Sequence, residues 1–407
     1  MKRHDPNLKV PSKVKWLIIL TSFVAIGHGF LITAVSAYLP EMGISSEQVG
    51  AILGASGLAM VICAIPFGIL SDRIGRKKVL MVGLVTTPPV LLICSISHSA
   101  ELFLVANILM GISEGAFLSA WNAMIADQTT VDNRDLAFSM SFIVYGGFTG
   151  LGFALPVSFP FIQDITGLSS VEVHSYAFLV LGLLSVISPI TIWRLLRDYK
   201  ERAPSVRVKR GLLKPNSKRA LLRFSVNNML IGLGAGLIIP LVPTWLFLEY
   251  GVPDTYSGPL LALSSITIGF AAIFSAGIAH KLGPVKAIVL TQASSTIFMF
   301  AIPFMPGATE AAAVYLVRAA LMNMAGPIMD AYLMGIIDKD DRGIASAINS
   351  IIWRLPNSAT TIIGGILLAS GYYALPFILA STIYLIAITA FYINFKDVSP
   401  NRDIQVA

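Results

Sequence analysis

Charged residues are scarce in this 407-residue chain: Asp, Glu, Lys and Arg make up 13% of it, against roughly 25% in a soluble domain. With 55% hydrophobic residues, that deficit excludes an ordinary soluble protein. There are two cysteines, Cys63 and Cys94, each inside an apolar stretch, so neither a disulfide framework nor a cysteine metal site is expected. Enzyme signatures are missing too. The sequence has no Walker lysine motif for ATP, no HExxH, no histidine pair at helical spacing and no GxSxG. No cofactor or metal is therefore expected. The basic start, residues 1–15, runs into a segment too long for a signal-peptide core and reads as an uncleaved cytoplasmic tail.

What the chain does have is apolar length in repeated blocks. A helix needs about 20 apolar residues to cross about 30 Å of hydrocarbon. Such segments are expected at 14–39, 47–70, 78–97, 101–126, 137–160 and 173–195, then at 222–247, 256–280, 286–304, 310–337, 343–369 and 372–395. They predict an all-α membrane protein with twelve transmembrane helices. Charge placement tests the count independently, because cytoplasmic loops collect Lys and Arg. With the N-terminus inside, 27 of the 29 Lys and Arg fall in cytoplasmic segments and the outer loops hold none. Acids such as Glu41, Glu101, Asp254 and Glu310 stand there instead. Orientation thus accounts for the net charge of +7, and nucleic acid is not an expected partner.

One long polar stretch divides the chain into an N-terminal bundle (1–196), a cytoplasmic linker (197–221) and a C-terminal bundle (222–407). Its basic residues are expected to rest on anionic lipid headgroups. A weak internal repeat supports the division: Asn107 to Asp127 aligns with Arg318 to Asp338, and the run from Asn133 resembles that from Asp341.

Between the second and third segments the chain reads Gly68-Ile69-Leu70-Ser71-Asp72-Arg73-Ile74-Gly75-Arg76-Lys77-Lys78. Gly75 suits a positive φ in a tight turn, and Gly68 a close helix approach. Arg73 and Arg76 are suited to bind nearby acids, Asp127 at the inner end of the fourth segment foremost. The run resembles the cytoplasmic loop motif of the major facilitator superfamily, G-x-L-x-D-R-x-G-R-K/R, at every named position. The resemblance implies two pseudo-symmetric six-helix bundles with a substrate path between them. It also implies that Asp72 acts as a latch near Arg342 and Gly343, closing the cytoplasmic side in the outward-facing state. The matching loop of the second half, Gly277 to Lys286, lacks the acid. Two other patterns of that family are not met. Asn107 stands where helix 4 commonly carries the arginine of R-x-x-x-G, and the glycine-rich fifth segment does not fit G-P-x-x-G-G. The resemblance therefore carries neither the usual proton relay nor a drug-antiporter helix.

Four charges fall at membrane depth, where each costs about 2.5–3.5 kcal/mol on insertion scales. Glu114 lies near the middle of the fourth segment, Arg318 and Asp330 on the tenth, and Arg354 near the middle of the eleventh. They read either as static ion pairs or as a substrate or proton site. Arg318 and Asp330 are more than three turns apart and cannot pair with each other. Glu114 is the preferred protonation candidate, because burial and a neighbouring arginine would make its charge depend on conformation. Arg354, in Trp353-Arg354-Leu355-Pro356-Asn357, suits an anionic or polar substrate beside a proline kink. His28, between Gly27 and Gly29, can titrate near neutral pH. Asn122, Tyr145, Asn349 and Trp353 are candidate cavity contacts.

The expected activity is secondary transport of a small organic solute by alternating access in the plasma membrane. A coupling proton is expected, both termini are expected to be cytoplasmic, and the chain is expected to act as a monomer. Multidrug-type export stands ahead of uptake of an organic anion or sugar. A non-transporting receptor or an intramembrane enzyme is the alternative of another class.

Overall fold

The computed structural model describes residues 9–96, 99–130, 133–199, 214–338 and 341–398, with the side chains of 135, 268–273, 276, 343, 344 and 347 left aside. The described residues contain helices and no strands. Twelve long helical rods follow one another: α1 Ser12–Glu41, α2 Ser46–Ile74, α3 Arg76–Ile96, α4 Ala100–Asp127, α5 Leu136–Thr166 and α6 Ser170–Leu195, then α7 Pro215–Tyr250, α8 Asp254–Leu282, α9 Pro284–Phe304, α10 Ala308–Ile336, α11 Arg342–Ala369 and α12 Leu375–Phe395. Among the described residues eleven of these are both long and apolar enough to cross a membrane. The remaining rod, α8, has 29 residues and is about 43 Å long at 1.5 Å per residue. A bilayer leaves no water for backbone groups, so each crossing must satisfy its own hydrogen bonds as helix. Large apolar side chains such as Ile62, Phe142 and Ile143 project outward as a lipid-facing belt.

Local chemistry sets the helix ends. Ser45 with Gln48 and Ser169 with Glu172 form capping boxes at the starts of α2 and α6. Gly75 (φ 107°) ends α2, and Gly283 (φ 78°) ends α8 in the equivalent place of the second half. Prolines leave carbonyls without their helical partner and tighten the backbone into short 3-10 turns at Leu155–Ser158 in α5 and Ile239–Leu241 in α7. Two expected boundaries move. The second helix continues to Ile74, so Asp72 and Arg73 sit on its last turn rather than in a loop. The seventh begins at Pro215, inside the stretch read as linker. Residues 200–213 of that linker and both chain termini lie outside the described residues.

Packing repeats between the halves. In the first, α4 lies against α2 and α3, α1 against α5, and α3 against α6. In the second, α10 lies against α8 and α9, α7 against α11, and α9 against α12. Adding six to each helix number converts one set into the other, which defines two pseudo-symmetric six-helix bundles. The halves meet through α2 with α11 and α5 with α8, a pair of contacts exchanged by the same operation.

That junction is sealed at one end only. Far from the signature run 68–78, one apolar core spans both halves, joining Phe30, Tyr38 and Phe178 to Trp245, Tyr315 and Phe377. Near the signature run there are two separate cores, one around Leu17, Leu80 and Trp121, the other around Phe224, Ile288 and Phe391. Lipid tails are as apolar as leucine, so close backbone contact rather than water exclusion must hold such a seam. A Cβ built on Gly50 of α2 would lie 2.8 Å from the Gly365 Cα and from the Thr361 carbonyl oxygen of α11. A Cβ built on Gly68, at the other end of α2, would meet no other element within 4 Å among the described residues, so the close approach expected there is absent in this conformation. The two halves form a V, closed at one end and open on the signature side.

Candidate functional site

The first-half wall of the V is built by α1, α4 and α5. Gly29 packs directly on the Thr149 backbone, and Gly152 on the Ile26 carbonyl, so α1 and α5 run closer than side chains would allow. This approach brings His28 and Tyr145, 117 residues apart in sequence, to 3.4 Å between Nδ1 and the hydroxyl. Glu114 comes in from α4, its Oε1 3.3 Å from the same Nδ1. A proton on Nδ1 donates to the Glu114 carboxylate, whereas a lone pair there accepts from the Tyr145 hydroxyl. The tautomer of one ring thus selects its partner. Side-chain exposures of 16% for His28 and 26% for Glu114 leave both reachable from a crevice that Phe117, Ser113 and Thr87 also line. Phe117 stacks on Tyr145 at 6.0 Å and on Trp121 at 5.2 Å, which fixes the ring at the back of the cluster.

The second-half wall carries a cavity of about 420 Å³ lined from α7 to α12. Arg318, 5% exposed, reaches into it from α10. Its Nη2 donates to the Tyr384 hydroxyl at 3.0 Å, and Ser295 Oγ donates to its carbonyl at 2.9 Å. A second space of about 340 Å³, lined by Asp330, Asn349, Ser350 and Arg354, shares Asn228, Gly326, Met329 and Trp353 with the first. The two are one vestibule. Asn228 Nδ2 donates to Asn349 Oδ1 at 2.8 Å and ties α7 to α11 behind it. Arg354 is exposed in the vestibule, 3.5 Å from Met60 Sδ across the junction.

Among the described residues none of Arg318, Arg354 and Asp330 makes an ion pair, and Glu114 pairs only with His28. Static salt bridges therefore do not account for the interior charges. Asn122 is exposed beside the buried Trp121 and lines none of these spaces.

At the open end, Asp127 accepts from Arg76 in a short ion pair and from the Tyr199 hydroxyl at 2.7 Å. Lys77 donates to the Leu196 carbonyl at 2.8 Å and sits over the Trp193 ring. These bonds stay within the first half. Asp72 and Arg73 are exposed, and no ion pair joins Asp72 to the second half among the described residues. Among the described residues Arg342 Nε has no hydrogen-bond partner, and the surroundings of Gly343 lie outside them.

Sequence reasoning missed the cluster at the closed end. His174 of α6 and Asp254 of α8 meet there, with Tyr38 stacked 3.5 Å from the imidazole and 6° from its plane. Tyr38 lies on a π-helical stretch, Ala34–Tyr38, that rotates it toward α6. Glu41 closes the group by accepting from the Asp254 backbone N–H at 2.5 Å. An intramembrane histidine is itself a signal of a polar partner, and His174 carried it.

A two-bundle membrane protein with a polar vestibule at mid-depth, open at one end, is the architecture of a carrier. The sequence profile of the Major Facilitator Superfamily matches residues 17–326 and 224–406. The chain belongs to that superfamily, and it is a transporter rather than an enzyme. It is 23% identical over 393 residues to multidrug resistance protein 2 of Bacillus subtilis, covering 92% of this chain and 94% of that protein. It is 33% identical over 152 residues to the inner membrane transport protein YajR of Escherichia coli, a match that spans 37% of this chain and only 31% of the relative. Its fold superposes on a bacterial homologue of the human lysosomal transporter Spinster with a TM-score of 0.72 at 14% identity, covering 95% and 97% of the two chains.

Proposed function

We propose that this chain is a proton-coupled secondary carrier that exports small organic solutes across the plasma membrane by alternating access, as a monomer. The observation that carries the reading is the His28–Glu114–Tyr145 cluster, a carboxylate at membrane depth with an imidazole at 3.3 Å, facing the vestibule from the wall opposite Arg318 and Arg354. A proton taken up there changes the charge seen by the solute cavity, which is what coupling needs. The cluster also takes up the role that Asn107 cannot perform, because Asn107 has no titratable group and its Nδ2 is spent on the Phe103 carbonyl. The positive-inside rule assigns the signature side to the cytoplasm, so the V is the inward-open state and Asp72 is a disengaged latch. The stretches 1–196 and 222–407 are the two moving bodies, and 197–221 joins them, its last residues from Pro215 onward already belonging to the seventh helix. Export stands ahead of uptake because a relative that matches over 94% of its own length is named for multidrug resistance.

The test is flux in proteoliposomes under an imposed pH gradient, with a panel of lipophilic dyes and organic acids. Substrate-driven proton movement should appear in the wild type and be lost in Glu114→Gln. Flux that ignores collapse of the gradient would remove the proton from the mechanism; no flux of any compound would remove the carrier.

A further inference from the structure

An arginine held at 5% exposure inside a membrane bundle ordinarily has an acid beside it, since an uncompensated charge there is costly. Arg318 has none within 4 Å among the described residues, and its Nε has no hydrogen-bond partner. We propose that the counterion is the solute: an amphipathic organic monoanion, a carboxylate on an aromatic or branched apolar body, whose acid group is held by Arg318 and Tyr384. This rests on the carrier reading above and names the substrate class of that site.

The donors converge. The Tyr384 hydroxyl accepts from Arg318 Nη2 at 3.0 Å, which leaves its own proton free to donate. Arg318 Nε–H and Tyr384 O–H then supply two donors on a fixed cationic frame, the pattern that suits the two oxygens of a carboxylate. The carbonyl of Arg318 is pinned by Ser295, so its backbone cannot swing away from the cavity without loss of that bond. Gln292, 1% exposed, lines the same space; its Nε2 donates to Met329 Sδ at 3.2 Å and its Oε1 is unpartnered. It offers an acceptor to a hydroxyl or amide N–H on the solute. The rest of the lining is mixed: Ile231, Met322 and Trp353 offer apolar surface to the body of the solute, Asn228, Ser264 and Asn323 polar groups, and a cavity of about 420 Å³ falls in the range that admits a small organic molecule. One unpaired arginine in this cavity calls for one negative charge; the adjoining space is lined by both Asp330 and Arg354, whose opposite charges give no net preference there.

The experiment uses the full chain in detergent and a matched set: 3-phenylpropionate, 3-phenylpropionamide and 3-phenylpropylamine, with their cyclohexyl counterparts. Calorimetry and thermal shift read binding. The acids should bind at least about tenfold more tightly than the amides and amines, because only they satisfy a charged donor pair. Arg318→Gln should erase the difference between acid and amide, and Tyr384→Phe should narrow it several-fold. Should Arg318→Gln not fold, Arg318→Lys, which keeps the charge but not the paired geometry, should weaken the acid more than the amide. Equal or tighter binding of the amide or amine, an acid preference that survives in the arginine variant, or no binding by any acid overturns the proposal. Flux separates the two readings. Gradient-driven transport of the amine but not the acid overturns the anion site and leaves the carrier, whereas acid binding without flux of any compound overturns the carrier and leaves the site.

Discussion

His174 and Asp254 meet across the boundary between the two halves, Nε2 to Oδ2 at 2.8 Å, with each side chain 2% exposed. The pair is the most deeply buried ion pair among the described residues, and it exists only while this end of the molecule is closed. Opening it must break the bond, because α6 and α8 belong to different bundles. Breaking a buried pair by removing one partner costs about 3–5 kcal/mol, since the other is left uncompensated. That cost falls on the closed end alone. Asp254→Asn or His174→Ala should therefore raise the population of the opposite, outward-open state. A cysteine placed at Thr361, beneath the seam, should become labelled by a membrane-impermeant maleimide at least about tenfold faster in either variant, the population change that 1.4 kcal/mol produces. Unchanged labelling would mean that the pair is a packing feature and not a gate.

The glycine seam of α2 and α11 makes a second, steric claim about the same end. A Cβ at Gly50 would meet backbone, which cannot rotate aside as a side chain can. Gly50→Val should prevent this closure and hold the carrier outward-open, with transport reduced at least about tenfold by overpacking of the kind that costs about 1–3 kcal/mol in a well-packed core. The protein should still fold, because α2 rests chiefly on α4 within its own bundle. Gly68→Ala, at the free end of the same helix, provides the control and should leave this conformation undisturbed. Wild-type transport in Gly50→Val would remove the seam from the cycle.

Much of the architecture was legible from composition alone. Lipid demands long apolar helices, so twelve runs and an asymmetric charge map were enough to read twelve crossings and two bundles. The four interior charges stood out for the same reason. What the sequence concealed was partnership. The sequence suggests an arginine as the modulator of Glu114, but its contact is His28, brought near by the approach of α1 to α5 that Gly29 and Gly152 permit. Arg318 gave no hint that it would face Tyr384, which lies 66 residues away on a helix with no charged neighbour. Asp254 read as one acid among several in the outer loops, and only the apposition of the halves turned it into the partner of an intramembrane histidine.

Two acids of the signature side are predicted to differ in what they hold. Asp127 already bonds Arg76 and Tyr199 in this conformation, so Asp127→Asn should lower the melting temperature in detergent, at a cost of about 1–3 kcal/mol for weakened charged bonds. Asp72 is exposed and free of ion pairs among the described residues, so Asp72→Asn should leave the melting temperature unchanged. If Asp72 is the latch proposed above, its effect should appear in transport, through loss of the state closed on the signature side. Spin labels on α4 and α10 near that opening would read the distance between the halves, and in Asp72→Asn the short-distance population should fall. A variant that melts early but cycles normally would reverse the two assignments.

The coupling cluster yields the last prediction, because its geometry assigns different tasks to three side chains. Tyr145 contacts the imidazole only through its hydroxyl, so Tyr145→Phe keeps the ring stacked on Phe117 and deletes one bond. His28→Gln keeps a hydrogen-bonding group of similar reach but removes the titration, and Glu114→Gln removes the carboxylate. If the proton is held between His28 and Glu114, both of the latter variants should uncouple flux from the pH gradient while still allowing downhill exchange of solute. Tyr145→Phe should stay coupled, with the pH dependence of flux displaced because one of the two contacts of Nδ1 is gone. The displacement should remain modest, about one pH unit or less, which is what losing a neutral hydrogen bond of about 0.5–1.5 kcal/mol allows. Proton-to-solute stoichiometry measured in proteoliposomes decides the matter: a stoichiometry that survives both His28→Gln and Glu114→Gln would place the coupling group elsewhere in the vestibule, with Asp330 the remaining carboxylate that lines it.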